Sequence, residues 1–352
     1  MKIAVLGAGA WGTAIAIHLA ARHEIALWVR NPALCAEMRR TRTNSRYLPG
    51  FTLPDDLALE ETLSAALSGA ALVLVAVTSN GLRDTLARLK DAGCRAPVVW
   101  LCKGFETKSA KLPHQVHAEV LGAVAPHGVL SGPSFAEEVA RGMPTALTLA
   151  SPDSDLASAT ARELHSATLR VYSGADVTGV EVAGAVKNVM AIAAGVCDGL
   201  RLGLNARAAL ITRGLAEMTR LGVRLGGRPE TFMGLAGVGD LVLTCTGDLS
   251  RNRRVGLKLG EGKALEAILN ELGHVAEGVH TARAVMRLAG ALGVDMPITG
   301  AVCRVLDEPA AARTAVQELL QRAPVFAASR MALPVFGGIS GSYRTMSNTA
   351  KA

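Results

Sequence analysis

The chain opens on the pattern that most constrains its fold. Residues 2–6 form a short apolar run that reads as a buried strand. Gly7-Ala8-Gly9-Ala10-Trp11-Gly12 follows directly and leads into a small-residue helix over 12–21. Gly7 permits a tight turn, Gly9 lets a pyrophosphate approach the backbone, and Gly12 lets helix and strand pack closely. The helix N-terminus then offers free N–H groups and a partial positive charge to an anion. In this strand–turn–helix setting the spacing predicts a dinucleotide site; the alternative is a glycine-rich turn without a ligand.

Short β runs then alternate with helical stretches to about residue 180. Strands are expected over 25–29, 71–77, 97–102, 128–131, 146–150 and 169–172. Helices are expected over 32–42, 82–90 and 111–121, with a polar, proline-containing loop over 43–54. Apolar strands in such alternation imply a parallel sheet covered on both faces. Beyond 180 only helices are expected, over 180–200, 206–225, 253–259, 264–272 and 281–292. The fold class is therefore α/β. An N-terminal, Rossmann-like, doubly wound sheet would form a dinucleotide-binding domain over 1–180, and an all-helical C-terminal, substrate-binding domain would occupy 181–325. Residues 326–352 read as a flexible tail.

Composition narrows the function classes. Half of the 352 residues are hydrophobic, 19% are charged and 3% are aromatic. Those proportions exclude a disordered scaffold and argue against a base-stacking platform. The net charge of +7 admits nucleic acid, anionic membranes or phosphorylated ligands. Scattered arginines without a known basic motif make nucleic acid the weakest of these. The cysteines at 35, 94, 102, 197, 245 and 303 form no C-x-x-C pair and no cluster with histidine. Neither a metal nor a disulfide framework is expected, and the plain reading is reduced thiols in the cytoplasm. In the longest uncharged run, 62–82, only 70–77 is continuously apolar, too short for a membrane span. The N-terminus also lacks the apolar core of a signal peptide.

The second strand ends at Trp28-Val29-Arg30. Binders of unphosphorylated NAD usually carry Asp or Glu here for the ribose hydroxyls. Arg30 instead suits a 2′-phosphate through charge-assisted hydrogen bonds, favouring NADPH, with NADH as the alternative. Arg39, Arg40 and Arg42 read better as a solvated helix end.

Four further segments carry chemistry. Lys103 follows a strand, where open α/β sheets bind ligands. Ser131-Gly132-Pro133-Ser134-Phe135-Ala136 turns a strand into a helix and offers a hydroxyl and backbone donors. Lys187, in Gly184-Ala185-Val186-Lys187-Asn188-Val189, is the only basic residue of a helix apolar on nearly every face. Desolvation favours its neutral amine, which suits a general acid/base near neutral pH; the alternative is a snorkelling or salt-bridged structural lysine, with Glu181 the nearest charge. Asp240 is a lone carboxylate in the glycine-rich run 234–241, and Ser250 is a good N-cap before Arg251-Asn252-Arg253-Arg254. Cations in a first helical turn oppose the dipole, so a phosphate or a plain basic surface turn fits equally.

These segments, with Asn205-Ala206-Arg207, Leu210-Ile211-Thr212-Arg213-Gly214, Gly239-Asp240-Leu241, Thr244-Cys245-Thr246 and Ser250-Arg251-Asn252-Arg253, resemble bacterial NAD(P)-dependent sn-glycerol-3-phosphate dehydrogenases over about residues 1–320. The resemblance implies reversible hydride transfer between dihydroxyacetone phosphate and sn-glycerol 3-phosphate, supplying glycerophospholipid synthesis, in a homodimer. It implies that Lys187 moves the proton. It places Lys103, Gly132, Ser134, Lys187, Asp240, Ser250, Arg251 and Asn252 at the substrate. It places Ala10, Trp11, Arg30, Lys103, Ala136, Arg251, Val275 and Glu277 at the cofactor, beside Gly7, Gly9 and Gly12. Ala10 departs from the small hydroxyl residue common in relatives, leaving only its backbone for a phosphate. Two rivals stay open: another two-domain hydroxyacid dehydrogenase with a lysine base, and a non-enzymatic NADP sensor that would not need Lys187 or Asp240.

Overall fold

The computed structural model describes residues 1–272 and 276–322. Among the described residues ten strands occur in chain order: β1 (Lys2–Leu6), β2 (Glu24–Trp28), β3 (Thr43–Asn44), β4 (Leu48–Thr52), β5 (Ala58–Glu60), β6 (Leu72–Val75), β7 (Val98–Trp100), β8 (His127–Ser131), β9 (Thr145–Ala150) and β10 (Leu169–Gly174). Eight of them form one sheet in the order β10-β9-β8-β7-β6-β1-β2-β5. The chain starts at β1, winds out through β2 and β5, then returns to β6 on the other side of β1. That reversal opens a crevice at the carboxyl ends of β1 and β6, where doubly wound sheets bind ligands.

The alternation of β1 explains its burial. Ile3 and Val5 face a core with Ile15, Leu19 and Leu164, while Ala4 and Leu6 face a second core with Leu82, Leu86 and Val116. Both faces are covered, so a continuous apolar run is the sequence pattern required.

Two details depart from the expectation. The pair β8–β9 is antiparallel in an otherwise parallel sheet. Its connection holds only the five-residue helix Ala136–Ala140, about 7 Å long, which cannot carry the chain back along a strand of about 16 Å. The stretch 43–54 is more than a loop: β3 and β4 form a separate antiparallel ribbon. Its strands are short, with Pro49 and Gly50 in β4, and Leu48 packs beside Trp11 and Val139. Edge position and proline mask a β pattern in such a ribbon.

After β10 the described chain is helical. Val177–Gly199 is its central helix, and every residue from Gly179 to Cys197 is buried. Arg251–Gly260 crosses it backbone to backbone. A Cβ on Gly256 would stand 1.9 Å from the Ile192 carbonyl oxygen, and one on Gly195 would stand 2.0 Å from that of Arg253. Helices Pro297–Asp307 and Ala312–Gln321 extend this half beyond the predicted set. Val177–Gly199 is long and apolar enough to cross a membrane, but its apolar stretch is buried inside the fold. The tail expected over 326–352 lies outside the described residues.

Gly256→Ala is expected to lower the unfolding free energy in urea by at least about 1–3 kcal/mol, the cost of overpacking. Gly290→Ala, with nothing within 4 Å of an added Cβ, should raise it by about 0.5–1 kcal/mol. Equal stability of the two variants would contradict the close crossing.

Candidate active site

The glycine turn is built as its spacing requires. Gly7 has φ 115°, and a Cβ there would meet the Ala76 carbonyl oxygen at 2.7 Å. A Cβ on Gly12 would meet the Gly7 carbonyl oxygen at 2.0 Å. Around Gly9 there is nothing within 4 Å of an added Cβ. The turn is therefore closed behind and open in front, the shape a dinucleotide pyrophosphate needs. Ala10 and Trp11 begin the helix Ala10–Ala20 and share a small apolar cluster with Ala136. Arg30 is exposed past the end of β2 and has no hydrogen bond or ion pair with the described residues. Arg39 instead donates to Leu59 and pairs with Glu61, and Arg42 donates to Pro54 and Leu57. Those two arginines tie the helix end to the 53–61 segment while Arg39 and Arg40 stay exposed, as expected of a solvated helix end.

The chemistry-bearing cluster lies at the carboxyl ends of β7 and β8. Asp240, 1% exposed, bridges two lysines: Lys187 Nζ donates to Oδ1 at 2.5 Å and Lys103 Nζ donates to Oδ2 at 2.8 Å. Lys103 also donates to the Gly132 carbonyl at 2.9 Å, and Lys187 to Thr244 Oγ1 at 2.9 Å. Ser134 donates to the same Gly132 carbonyl. A wide π-type turn, Leu235–Gly239, delivers Asp240 to the start of helix Asp240–Thr246, a backbone irregularity frequent at functional sites.

Burial pushes the Lys187 ammonium down to about 8, aided by the charge of Lys103 and opposed by Asp240. Burial also works to raise the Asp240 carboxyl, but Lys103 and Lys187 outweigh it and hold it below its ordinary value. The result is a carboxylate that stays charged beside an amine that titrates near neutral pH. Glu181, the nearest charge in sequence, is not its partner: it accepts from the His114 amide and ring.

Asn252, Arg251 and Glu277 complete the cluster from the helical half. Asn252 Nδ2 donates to Asn188 Oδ1 at 3.0 Å, and its own Oδ1 accepts from the Gly278 amide. Glu277 is half-buried; burial raises its carboxyl, against the Ser79 amide and the Arg251 charge. Ser250 caps its helix by accepting from the Arg253 amide at 3.2 Å. Arg253 is neutralised by Asp198 and Asp248, whereas Arg251 is exposed and has no partner among the described residues. Arg251 and Arg254 are thus both exposed without an ion pair among the described residues, and Arg251 is the one whose charge acts on Glu277 of the cluster. Val275 lies outside the described residues. Thr244 and Asn188 lie in motifs quoted from the sequence but carry no assigned role there. Thr244 follows Asp240 by four residues on one helix, and that i,i+4 spacing was its available signal.

Family models describe both halves: the N-terminus of NAD-dependent glycerol-3-phosphate dehydrogenase matches residues 2–157, and its C-terminus matches 176–317. Glycerol-3-phosphate dehydrogenase [NAD(P)+] of Dechloromonas aromatica is 59% identical over 324 residues, covering 92% of this chain and 98% of that protein. The chain belongs to the NAD-dependent glycerol-3-phosphate dehydrogenase family. The like-named protein of Thiobacillus denitrificans is 60% identical over 322 residues, again covering 92% of this chain and 98% of its own length. The crystal structure of glycerol-3-phosphate dehydrogenase from Coxiella burnetii superposes with a TM-score of 0.87 at 44% identity, covering 91% of this chain and 99% of that one. A ketopantoate reductase from Ralstonia eutropha shares the fold at TM-score 0.55 and 20% identity, covering 91% of this chain and 100% of its own. The glycerol-3-phosphate dehydrogenase family thus accounts for both the sheet and the helical half.

Among the described residues of this glycerol-3-phosphate dehydrogenase family member, no group of three His, Cys, Asp or Glu side chains is placed to hold a metal. Asp240→Ala should cost about 3–5 kcal/mol of unfolding free energy at pH 7, the usual price of orphaning a buried partner. Urea denaturation checks this, and a loss below about 1 kcal/mol would show that the carboxylate does not hold the two halves.

Proposed function

We propose that the chain reduces dihydroxyacetone phosphate to sn-glycerol 3-phosphate with NAD(P)H, reversibly, and that Lys187 moves the proton. The bridge from Lys187 through Asp240 to Lys103 is the observation that carries this reading. The curated relatives named above support the reaction. On this reading residues 1–180 serve the dinucleotide and 181–325 chiefly the substrate.

The open glycine turn fits a dinucleotide, with Gly7, Gly9, Gly12, Ala10 and Trp11 around the pyrophosphate and Ala136 packed alongside. When bound, the nicotinamide supplies the hydride. Protonated Lys187 gives its Nζ proton to the developing alkoxide at C2, combining general acid catalysis with charge stabilisation. Asp240 and Thr244 hold the amine in place in both protonation states. In the oxidative direction neutral Lys187 takes the hydroxyl proton. Arg251 meets the substrate phosphate, Asn252 and Ser134 position its polar groups, and Lys103 stands between substrate and cofactor. Ser250 fixes the turn that carries Arg251. Phosphate binding is remote from the reacting carbon and so contributes positioning. Arg30 meets a 2′-phosphate, which favours NADPH. The setting is cytoplasmic glycerophospholipid synthesis, and the assembly is a homodimer, for which exposed Leu204 and Met233 offer apolar surface.

Lys187→Ala should lower kcat about 10²–10⁴-fold in a spectrophotometric assay with dihydroxyacetone phosphate; a near-normal kcat defeats the assignment. With Lys187 near 8, reduction needs the protonated form and should fade as pH rises through about 8, while oxidation should rise through the same range. Profiles that move together in both directions would contradict this. Arg30→Asp should shift the ratio of kcat/KM toward NADH, and an unchanged ratio removes Arg30 from cofactor choice.

A further inference from the structure

We infer that Asn44, on the ribbon β3–β4, is a positioning residue that orients the peptide of the glycine turn toward the cofactor. Asn44 is 0% exposed and lies 36 residues from the turn it holds. Its Nδ2 donates to the Ala8 carbonyl at 2.9 Å and to Thr13 Oγ1 at 2.8 Å, using both amide hydrogens. Its Oδ1 accepts from the Tyr47 amide at 3.2 Å, which ties the ribbon's own turn into the same group. The Ala8 oxygen is an acceptor only, so the amide cannot be reversed without losing that bond.

The consequence follows from peptide geometry. Across a planar trans peptide the C=O and the next N–H point in opposite directions. Clamping the Ala8 oxygen toward Asn44 therefore turns the Gly9 N–H away from it. The amides of Ala8, Gly9, Ala10, Trp11 and Gly12 donate to no acceptor among the described residues; the first turn-closing bond is from Thr13 to the Gly9 carbonyl. Thr13, on the first helical turn, is the second point at which Asn44 grips the helix start. One buried amide thus fixes both the turn and the first turn of the helix, where an anion is held by several N–H groups at once. An untethered turn would have to adopt that arrangement on binding, and affinity would fall by the fraction of time it is not so arranged.

This inference rests on assigning residues 7–12 to the cofactor, so the test separates the two. NADPH is titrated onto the purified full-length protein, with binding read by cofactor fluorescence and no substrate present. Three variants are compared with the original. Asn44→Ala should raise the NADPH Kd about ten- to a hundredfold, as expected for losing two hydrogen bonds that hold the binding geometry. Thr13→Val, nearly isosteric, removes one of the two and should raise it severalfold. The kcat at saturating NADPH and the KM for dihydroxyacetone phosphate should stay within about twofold in both, because the substrate cluster is untouched. Gly9→Val enters open space at φ −72°, so it should fold and yet lose NADPH binding.

If Gly9→Val binds NADPH normally, the cofactor assignment itself fails, and the inference with it. If Gly9→Val loses binding while Asn44→Ala and Thr13→Val bind like the original, the positioning role alone is overturned. Equal losses in NADPH affinity, kcat and the substrate KM would also overturn it, showing a general structural defect. Should Asn44→Ala fail to fold, Thr13→Val decides by the same criteria.

Discussion

The proton-transfer cluster proposed for this molecule is organised by one buried carboxylate. Asp240 is charged, almost completely enclosed, and satisfied by two ammonium groups that come from different parts of the chain. Lys103 stands at the end of a strand of the sheet, and Lys187 stands in the middle of the central helix. Removing an ion from water costs several kcal/mol, and a buried ion is tolerated only with good geometry and full hydrogen bonding. Here both oxygens are used, and each lysine has a second acceptor: the Gly132 carbonyl for Lys103 and the Thr244 hydroxyl for Lys187. The ion triad has an excess of one positive charge when both lysines are protonated. Burial and mutual repulsion ease that excess by bringing Lys187 down to about 8. The same electrostatics that join sheet to helices therefore bring one of the lysines into the range that the proposed acid and base role requires.

Close helix packing determines what surrounds the triad. Glycines 195 and 199 face glycines 256 and 260, so two helices touch through their backbones. The crossing brings the start of Arg251–Gly260 against the central helix. Asn252 then reaches Asn188, the neighbour of Lys187, and the Gly278 amide closes the chain of hydrogen bonds. Arg253 is tied to Asp198 on the far end of the same central helix. Arg251 is exposed and has no ion pair among the described residues, so its guanidinium is available to a phosphate.

Much of this was legible in the residues. The glycine turn announced the sheet, its crevice and the three distinct glycine roles. Lys187 and Asp240 each stood out for the same reason: a charge inside an apolar run is costly unless it is used or paired. What could not be read was that they meet, because 53 residues separate them and the nearest charge in sequence, Glu181, is committed to His114. Strand direction was also hidden, since the antiparallel β9 follows from the shortness of a five-residue helix, not from its own composition. The ribbon β3–β4 escaped because its strands are short, β4 contains Pro49 and Gly50, and its anchoring contacts are with a distant helix. Tertiary context decided these cases where local pattern could not.

The central claim is that the Asp240 bridge and burial together set Lys187 titrating near neutrality. The most direct measurement is an NMR pH titration of the protein labelled with ¹³C at lysine Cε, with the Lys187 resonance assigned by its loss in Lys187→Met. The account predicts a midpoint near 8, falling lower in Asp240→Asn as the carboxylate's support for the charged amine is withdrawn. A midpoint above 10, or one that the Asp240 substitution does not move, would contradict it.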